Sequence, residues 1–305
     1  MLASNTVDEH LTRLGLILSK FKSSNLKLTP SKCSLLKPEV TFIDYKISKE
    51  GVSITDDRIK AVRDLKPPTT VKETEKLMGF LAYNRRFVPR FSALAKPLYA
   101  LIDRKKPKEK LVWTELCDTD FREIKHQISE GITLGIPDID DPHQSYHVKI
   151  DASLDGLGAE LSQLINGKRP TIAFFSRRVP SHKRTWSQTK LEFEAMLAAI
   201  EHWRVYLQGT VFTVITDCKS LLDFQTIFSN ANAHQVRQLQ RLAKYRFILK
   251  HIAGEENEIC DFLSRYGQKP QFLSNTVDTP GLIDFYDDRF SRVTVSTVLS
   301  MSLAR

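Results

Sequence analysis

The chain has 305 residues, 41% hydrophobic and 27% charged, with a formal net charge of +9. That is globular composition in a chain long enough for two domains, and it excludes a disordered chain. Glycine (12) and proline (13) are too few for a collagen-like or low-complexity chain. No apolar run approaches the ~20 residues of a membrane helix, so no membrane partner is expected. The first ten residues lack the basic-then-apolar pattern of a secretory signal. Cys33, Cys117, Cys218 and Cys260 are scattered with no C-x-x-C pair, which suits neither a zinc site nor a disulfide framework. An intracellular protein, in cytoplasm or nucleus and not secreted, is the expectation. The positive surplus favours a polyanionic partner and is by itself a modest hint of nucleic acid.

In chain order, Thr6-Val7-Asp8-Glu9 reads as a capping box, followed by Leu11, Leu14, Leu18 and Phe21 at helical spacing. Val40-Thr41-Phe42 and Tyr45-Lys46-Ile47 predict two short strands ending at Glu50-Gly51. Pro67-Pro68 stops the next helix, and Thr70-Val71-Lys72-Glu73 is a second capping box. Residues 77–101 read as helical, punctuated by Pro89 and Pro97. The basic stretch 104–110 is an exposed linker or a phosphate-facing loop. After a helix over 118–128, Tyr146, Val148 and Ile150 alternate with His147, Lys149 and Asp151, the period of a half-buried strand. Strands follow over 157–165 and 170–176, then a helix over 190–207 and an apolar strand over 211–215. A helix over 234–244, a strand over 247–252 and a short helix from Asn257 complete the pattern. Three strands, then helix, strand, helix, strand and helix, make a mixed α/β domain. Beyond Arg265 no periodicity is sustained.

Four carboxylates stand out. Asp151 ends an alternating strand, a position where α/β folds place functional groups, although a lone strand-end Asp is also ordinary solvation or capping. Glu192 shares its helix face with Met196, Ala199 and Trp203, an apolar stripe on which a carboxylate costs several kcal/mol unless compensated. The alternative is a Glu near a helix end tilted into solvent. Glu194, with Ala198 and Glu201, is expected on the exposed face. Asp217 ends the apolar strand over 211–216, and Asp261 falls in the first turn of the last helix, where capping alone explains it. Brought together, four such groups raise each other's pKa, and hard divalent ions with oxygen ligands resolve the conflict, Mg²⁺ best.

The motifs around these residues resemble a known family. Lys149-Ile150-Asp151-Ala152-Ser153 resembles the TDAS strand of the ribonuclease H domain in Ty3/gypsy-type retrotransposon Pol proteins. The segment 186–192 with His202-Trp203-Arg204-Val205-Tyr206-Leu207 is similar to that family's YSTTEKE…KFRHYL helix, which puts the family's catalytic Glu on Glu192. Thr216-Asp217-Cys218-Lys219-Ser220-Leu221 is similar to TDHKSL, and 251–257 with 260–265 to HIPGKEN…ADALSR. Upstream, 26–33 resembles LKLNPKKC, 79–92 resembles GLxNYYRRFIPNFS, and Val112-Trp113-Thr114 with Cys117 resembles EWTEEC. The resemblance covers about residues 1–266 in the family's order.

The resemblance implies an RNase H-like five-stranded mixed sheet with flanking helices over 145–266. Before it would come a mainly helical reverse-transcriptase palm and thumb remnant over 1–102 and a connection segment over 103–144. A tail would occupy 267–305. It implies Mg²⁺-dependent cleavage of the RNA strand of an RNA–DNA hybrid, with two ions (Mn²⁺ may substitute). Asp151 would bridge both ions, Glu192 and Asp217 would hold one, and Asp261 the other. Substrate choice would rest on the 2′-OH and A-like geometry. Arg85, Arg86, Arg177, Arg178, Lys183 and Arg184 are candidate backbone contacts, for each of which a solvated basic face is the alternative. Other Pol-derived subunits are possible partners, in a virus-like particle if the element is active. A second reading is a catalytically silent fragment that binds nucleic acid or a Pol subunit.

Departures from the family pattern are specific. The Y-x-D-D palm hairpin of family polymerases would precede Leu2-Ala3-Ser4, so RNA-directed DNA polymerase activity is not expected here. Phe285-Tyr286-Asp287-Asp288 mimics that motif without its hairpin context. Asp44 stands where the family has Gly near the primer-gripping turn, Cys218 replaces a usual His, and Cys260 a usual Ala.

Overall fold

The computed structural model describes residues 2–4, 6–102, 111–139, 146–154, 156–183, 185–223 and 233–252. The expected helix from Asn257, Asp261, Arg184, the basic stretch 104–110 and the tail with Asp287 and Asp288 lie outside them.

Helix α1 (Val7–Ser23) starts as its capping box predicts, Thr6 Oγ1 accepting from the Glu9 N–H at 3.2 Å, yet none of its residues is buried. Strands β1 (Glu39–Phe42), β2 (Tyr45–Ser48) and β3 (Gly51–Ile54) form an antiparallel sheet. The third strand is not expected from the sequence, where Glu50-Gly51 marks the end of the second. Gly51 instead turns the chain back: its φ is +138°, and a Cβ there would lie 2.2 Å from the Leu134 carbonyl oxygen. Phe42 pairs with Tyr45, leaving Ile43 (φ 47°) and Asp44 (φ 63°) as a two-residue turn with both φ positive. Asp44 is held there by Arg58 at 3.0 Å, whose guanidinium also stacks on Phe80 and Tyr83.

Helix α2 (Asp56–Arg63) ends before Pro67. The second capping box begins α3 (Val71–Tyr83): Thr70 Oγ1 accepts from the Glu73 N–H, and the Glu73 carboxylate accepts from the N–H and hydroxyl of Thr69. The region expected as one punctuated helical stretch is broken into α3, a 3₁₀ turn (Arg85–Phe87), α4 (Phe91–Leu94) and α5 (Lys96–Ile102). Arg90 caps α4 with φ +58°, a left-handed conformation unusual for a residue of its size. Helix α6 (Glu115–Ser129) starts three residues earlier than expected because Thr114 caps it. These elements close a core around Val62, Leu81, Phe87, Leu98, Phe121, Ile124 and Ile128. Lys125 Nζ fastens α6 by donating to the Leu65 carbonyl at 2.7 Å.

The second sheet holds β4 (Tyr146–Ala152), β5 (Gly156–Gln163), β6 (Thr171–Arg178), β7 (Val211–Thr216) and β8 (Arg246–His251), in the order β6-β5-β4-β7-β8. β4–β5 and β5–β6 are antiparallel, whereas β4–β7 and β7–β8 are parallel. This is the expected five-stranded mixed sheet. Helix α7 (Gln188–His202) lies on β4 and β5, and Trp203 breaks the expected longer helix, α8 (Arg204–Leu207) following as a separate turn. Helix α9 (Ala233–Leu242) contributes Leu239 and Leu242 to the core of Tyr146, Val148, Ile150, Met196 and Phe212.

The expected exposure of Glu194 is overturned. Glu194 is 9% exposed and Ala198 8%, because α7 is covered on both sides from Leu191 to Ile200. One side meets the sheet; the other meets Val179, the Lys183 ammonium and Gln238 of α9. Periodicity finds one apolar face and cannot see a polar face covered by segments outside the helix. No helix among the described residues is long and apolar enough to cross a membrane.

Candidate metal centre

Asp151, Glu192 and Asp217 meet at one end of the sheet, each offering a carboxylate oxygen within 4.8 Å of the others; Asp151 and Glu192 are buried and Asp217 is half-buried. β4 and β7 run parallel and in register from His147↔Thr213 to Lys149↔Ile215, so their following ends bring Asp151 and Asp217 side by side. The Glu192 side chain reaches the same point from α7. Its Oε1 accepts from the Ala152 N–H at 2.9 Å and from Gln188 Nε2 at 3.2 Å, and Thr216 Oγ1 lies 3.4 Å from Oε2. Gln188 Nε2 also donates to the Ala152 carbonyl at 2.6 Å, locking the start of α7 to the end of β4. His251 Nε2, 3.1 Å from the Asp217 carbonyl, must carry its proton there, since a carbonyl only accepts.

Burial first, then the charges of Asp151 and Asp217, push the Glu192 carboxyl up from 4.5 to about 8. Without a counter-cation the cluster therefore keeps a proton at neutral pH. The donor set is all carboxylate oxygen with no His or Cys, which suits a hard divalent cation and no soft one. Such a cation would supply the compensating charge that the protein's own hydrogen bonds to Glu192 leave incomplete.

Three of the four carboxylates singled out in the sequence are thus brought together, and Asp261 lies outside the described residues. Among the basic candidates, Arg177 and Arg178 are exposed at the end of β6, where Arg177 pairs with Leu157 and Arg178 with Gly156. Arg85 is exposed on its 3₁₀ turn. Arg86 is half-buried and donates to the Ile172 carbonyl at 3.4 Å, and Lys183 sits 2.6 Å from Glu194 and 4.7 Å from the Trp186 ring centre. The charges of these last two are engaged inside the fold. Sequence reasoning passed over Gln188 and Thr216. Their signals were plain: one is four residues before Glu192 on its helix face, the other is next to Asp217.

Residues 141–250 match the RNase H-like domain found in reverse transcriptase. The chain is 31% identical over 264 residues to the retrovirus-related Pol polyprotein from transposon 297 of Drosophila melanogaster, covering 86% of this chain and 24% of that protein. It is 28% identical over 273 residues to the transposon Tf2-3 polyprotein of Schizosaccharomyces pombe, covering 87% and 20%. The chain thus spans about a quarter of the length of the curated relatives it matches. Among solved structures, the foamy viral protease-reverse transcriptase in complex with RNA/DNA hybrid superposes with a TM-score of 0.69 at 21% identity, over 89% of this chain and 37% of that one. A related complex with dsDNA gives 0.69 at 22% identity, over 82% and 44%. At such identity the likeness establishes the fold. Residues 141–250 thus match an RNase H-like domain of the reverse-transcriptase type, and most of the chain is similar to one part of retrotransposon Pol polyproteins.

Proposed function

We propose that the chain is the RNase H-type endonuclease part of a retrotransposon Pol polyprotein, hydrolysing the RNA strand of RNA–DNA hybrids with Mg²⁺ or Mn²⁺. The observation that carries this reading is the buried meeting of Asp151, Glu192 and Asp217. Asp151 and Asp217 would hold cations from the strand ends, and Glu192 would join them once its proton leaves. Asp261 is proposed as the fourth ligand. Two divalent ions at such a site supply an activated water and stabilise the leaving 3′ oxygen. The protein's own part is to hold the carboxylates rigidly: Gln188, Thr216 and the Ala152 N–H fix both oxygens of Glu192 before any ligand arrives. Arg177, Arg178 and Arg85, exposed and basic, are proposed contacts to the hybrid backbone, and that a structural neighbour is a complex with RNA/DNA hybrid supports this substrate. Other Pol-derived subunits are proposed as partners.

The test is a substrate panel with the full chain. The expected result is metal-dependent cleavage of labelled RNA in a hybrid, with free single-stranded RNA and duplex DNA spared. A folded sample that binds hybrid but cleaves nothing in either metal supports a silent binding module instead.

A further inference from the structure

The unit built on the core of β3 and helices α2–α6, here the upstream unit, is seated against the strands beside the acidic site and carries Arg90 there. Asp151, Gly158 and Ser176 stand on one rung of the sheet, Asp151 opposite Gly158 and Gly158 opposite Ser176. Antiparallel partners project to the same face, so the missing Gly158 side chain leaves that face open between Asp151 and Ser176. The upstream unit covers this face. Phe174, two residues before Ser176, packs into the upstream core. The Ser92 N–H of α4 donates to Ser176 Oγ at 2.8 Å, and the hydroxyls of Ser92 and Ser176 are in contact. A Cβ on Gly156 would come within 3.3 Å of Ser92 Oγ, so α4 is seated against the strand that starts beside the site.

Arg90 lies two residues before Ser92. It has a left-handed backbone, strained for Arg, immediately before α4. Arg90 is half-buried, and burial holds its guanidinium below the usual range; the carboxylates that oppose this are first Asp151, then Asp120 and Glu123 of α6. Asp120, itself pushed up to about 6 by burial, is drawn down by Arg90.

We propose that Arg90 is a positioning residue that shares its charge between Asp151 of the metal centre and Asp120 and Glu123 of α6, so that docking of the upstream unit sets how strongly the acidic site draws divalent cations. The inference rests on the proposed function, since it assumes a metal centre. A fixed positive charge beside Asp151 opposes an incoming divalent ion while helping hold Asp151 in place, and its removal makes the site bind metal more tightly and less specifically.

The experiment is calorimetric titration of Mn²⁺ alone into the full chain, wild type against Arg90→Ala and Arg90→Lys. Loss of the charge in Arg90→Ala is expected to tighten Mn²⁺ binding at least about fivefold, the scale of a unit charge near a divalent site even in a water-like medium. Arg90→Lys is expected to stay within about twofold of wild type. A merely structural role would loosen binding in Arg90→Ala, or change both variants alike, and either result overturns the inference. So does a raised KM for hybrid in Arg90→Ala with unchanged Mn²⁺ affinity, which would turn Arg90 towards the substrate. A folded wild type that takes up no Mn²⁺ overturns the proposed function and this inference together, whereas binding that ignores Arg90 overturns the inference alone.

Discussion

Replacing Glu192 by Gln separates its electrostatic cost from its use as a ligand. In the metal-free fold, burial and the neighbouring Asp151 and Asp217 raise its carboxyl from 4.5 to about 8. Between those values the folded chain holds a proton that the unfolded chain releases. Stability from this group is therefore complete below pH 4.5 and is lost progressively as pH rises, the loss being complete above about pH 8. At 1.36 kcal/mol per unit, the ceiling on that loss is about 4–5 kcal/mol, reduced by any local relaxation. Gln keeps the shape and still accepts from the Ala152 N–H, but carries no charge at any pH. Metal-free Glu192→Gln is expected to exceed wild type by about 1–3 kcal/mol near pH 8.5, roughly 2–5 °C in Tm for a chain of this size, and to match it near pH 5. Adding Mg²⁺ should raise the melting temperature of wild type and scarcely that of the variant. The assay is a pH series of thermal melts with and without Mg²⁺. A variant that melts below wild type at pH 8.5, or a wild type whose stability is flat across the series, refutes the burial reasoning.

Glu194→Gln is expected to lower stability by about 1–3 kcal/mol, because it strands the Lys183 ammonium in a partly buried pair, while leaving Mn²⁺ affinity unchanged; melts and calorimetry together check this. Gly51→Ala should cost about 3 kcal/mol or more in denaturant unfolding, since its Cβ would collide with the Leu134 carbonyl and φ +138° resists any side chain. Phe174→Ala should destabilise by about 3–5 kcal/mol at most, less if the seam closes on the gap; a change below about 0.5 kcal/mol would show that the upstream core does not use this ring.

The sequence made the second sheet legible because its signals are local: the alternation of residues 146–151, the apolar run into Asp217 and the stripe of Glu192, Met196, Ala199 and Trp203 each follow from one element. Two capping boxes fixed the starts of α1 and α3 for the same reason. What escaped was decided by distant chain. β3 exists because Gly51 can approach Leu134, 83 residues on, and Val52 bridges to that same residue. Glu194 looked exposed because the residues covering it, Lys183 and Gln238, come from a turn and a helix that no helical wheel includes. The candidate metal centre is half-visible in the same sense. Four carboxylates stand out one by one in the sequence, but the parallel pairing of β4 with β7 is what makes Asp151 and Asp217 neighbours. Arg90 gave no sequence signal at all, since its environment is assembled from β4 and α6.

The proposed function requires that the buried carboxylates form a metal-dependent nuclease site. The most direct test is hybrid cleavage by the full chain in Mg²⁺, wild type beside Asp151→Asn, with both samples shown to be folded and to bind hybrid. Wild type is expected to cut the RNA strand and Asp151→Asn to lose at least about a thousandfold in rate, the scale seen when a catalytic group acts as part of a unit. Equal cleavage by the two proteins, or none by wild type, contradicts the claim.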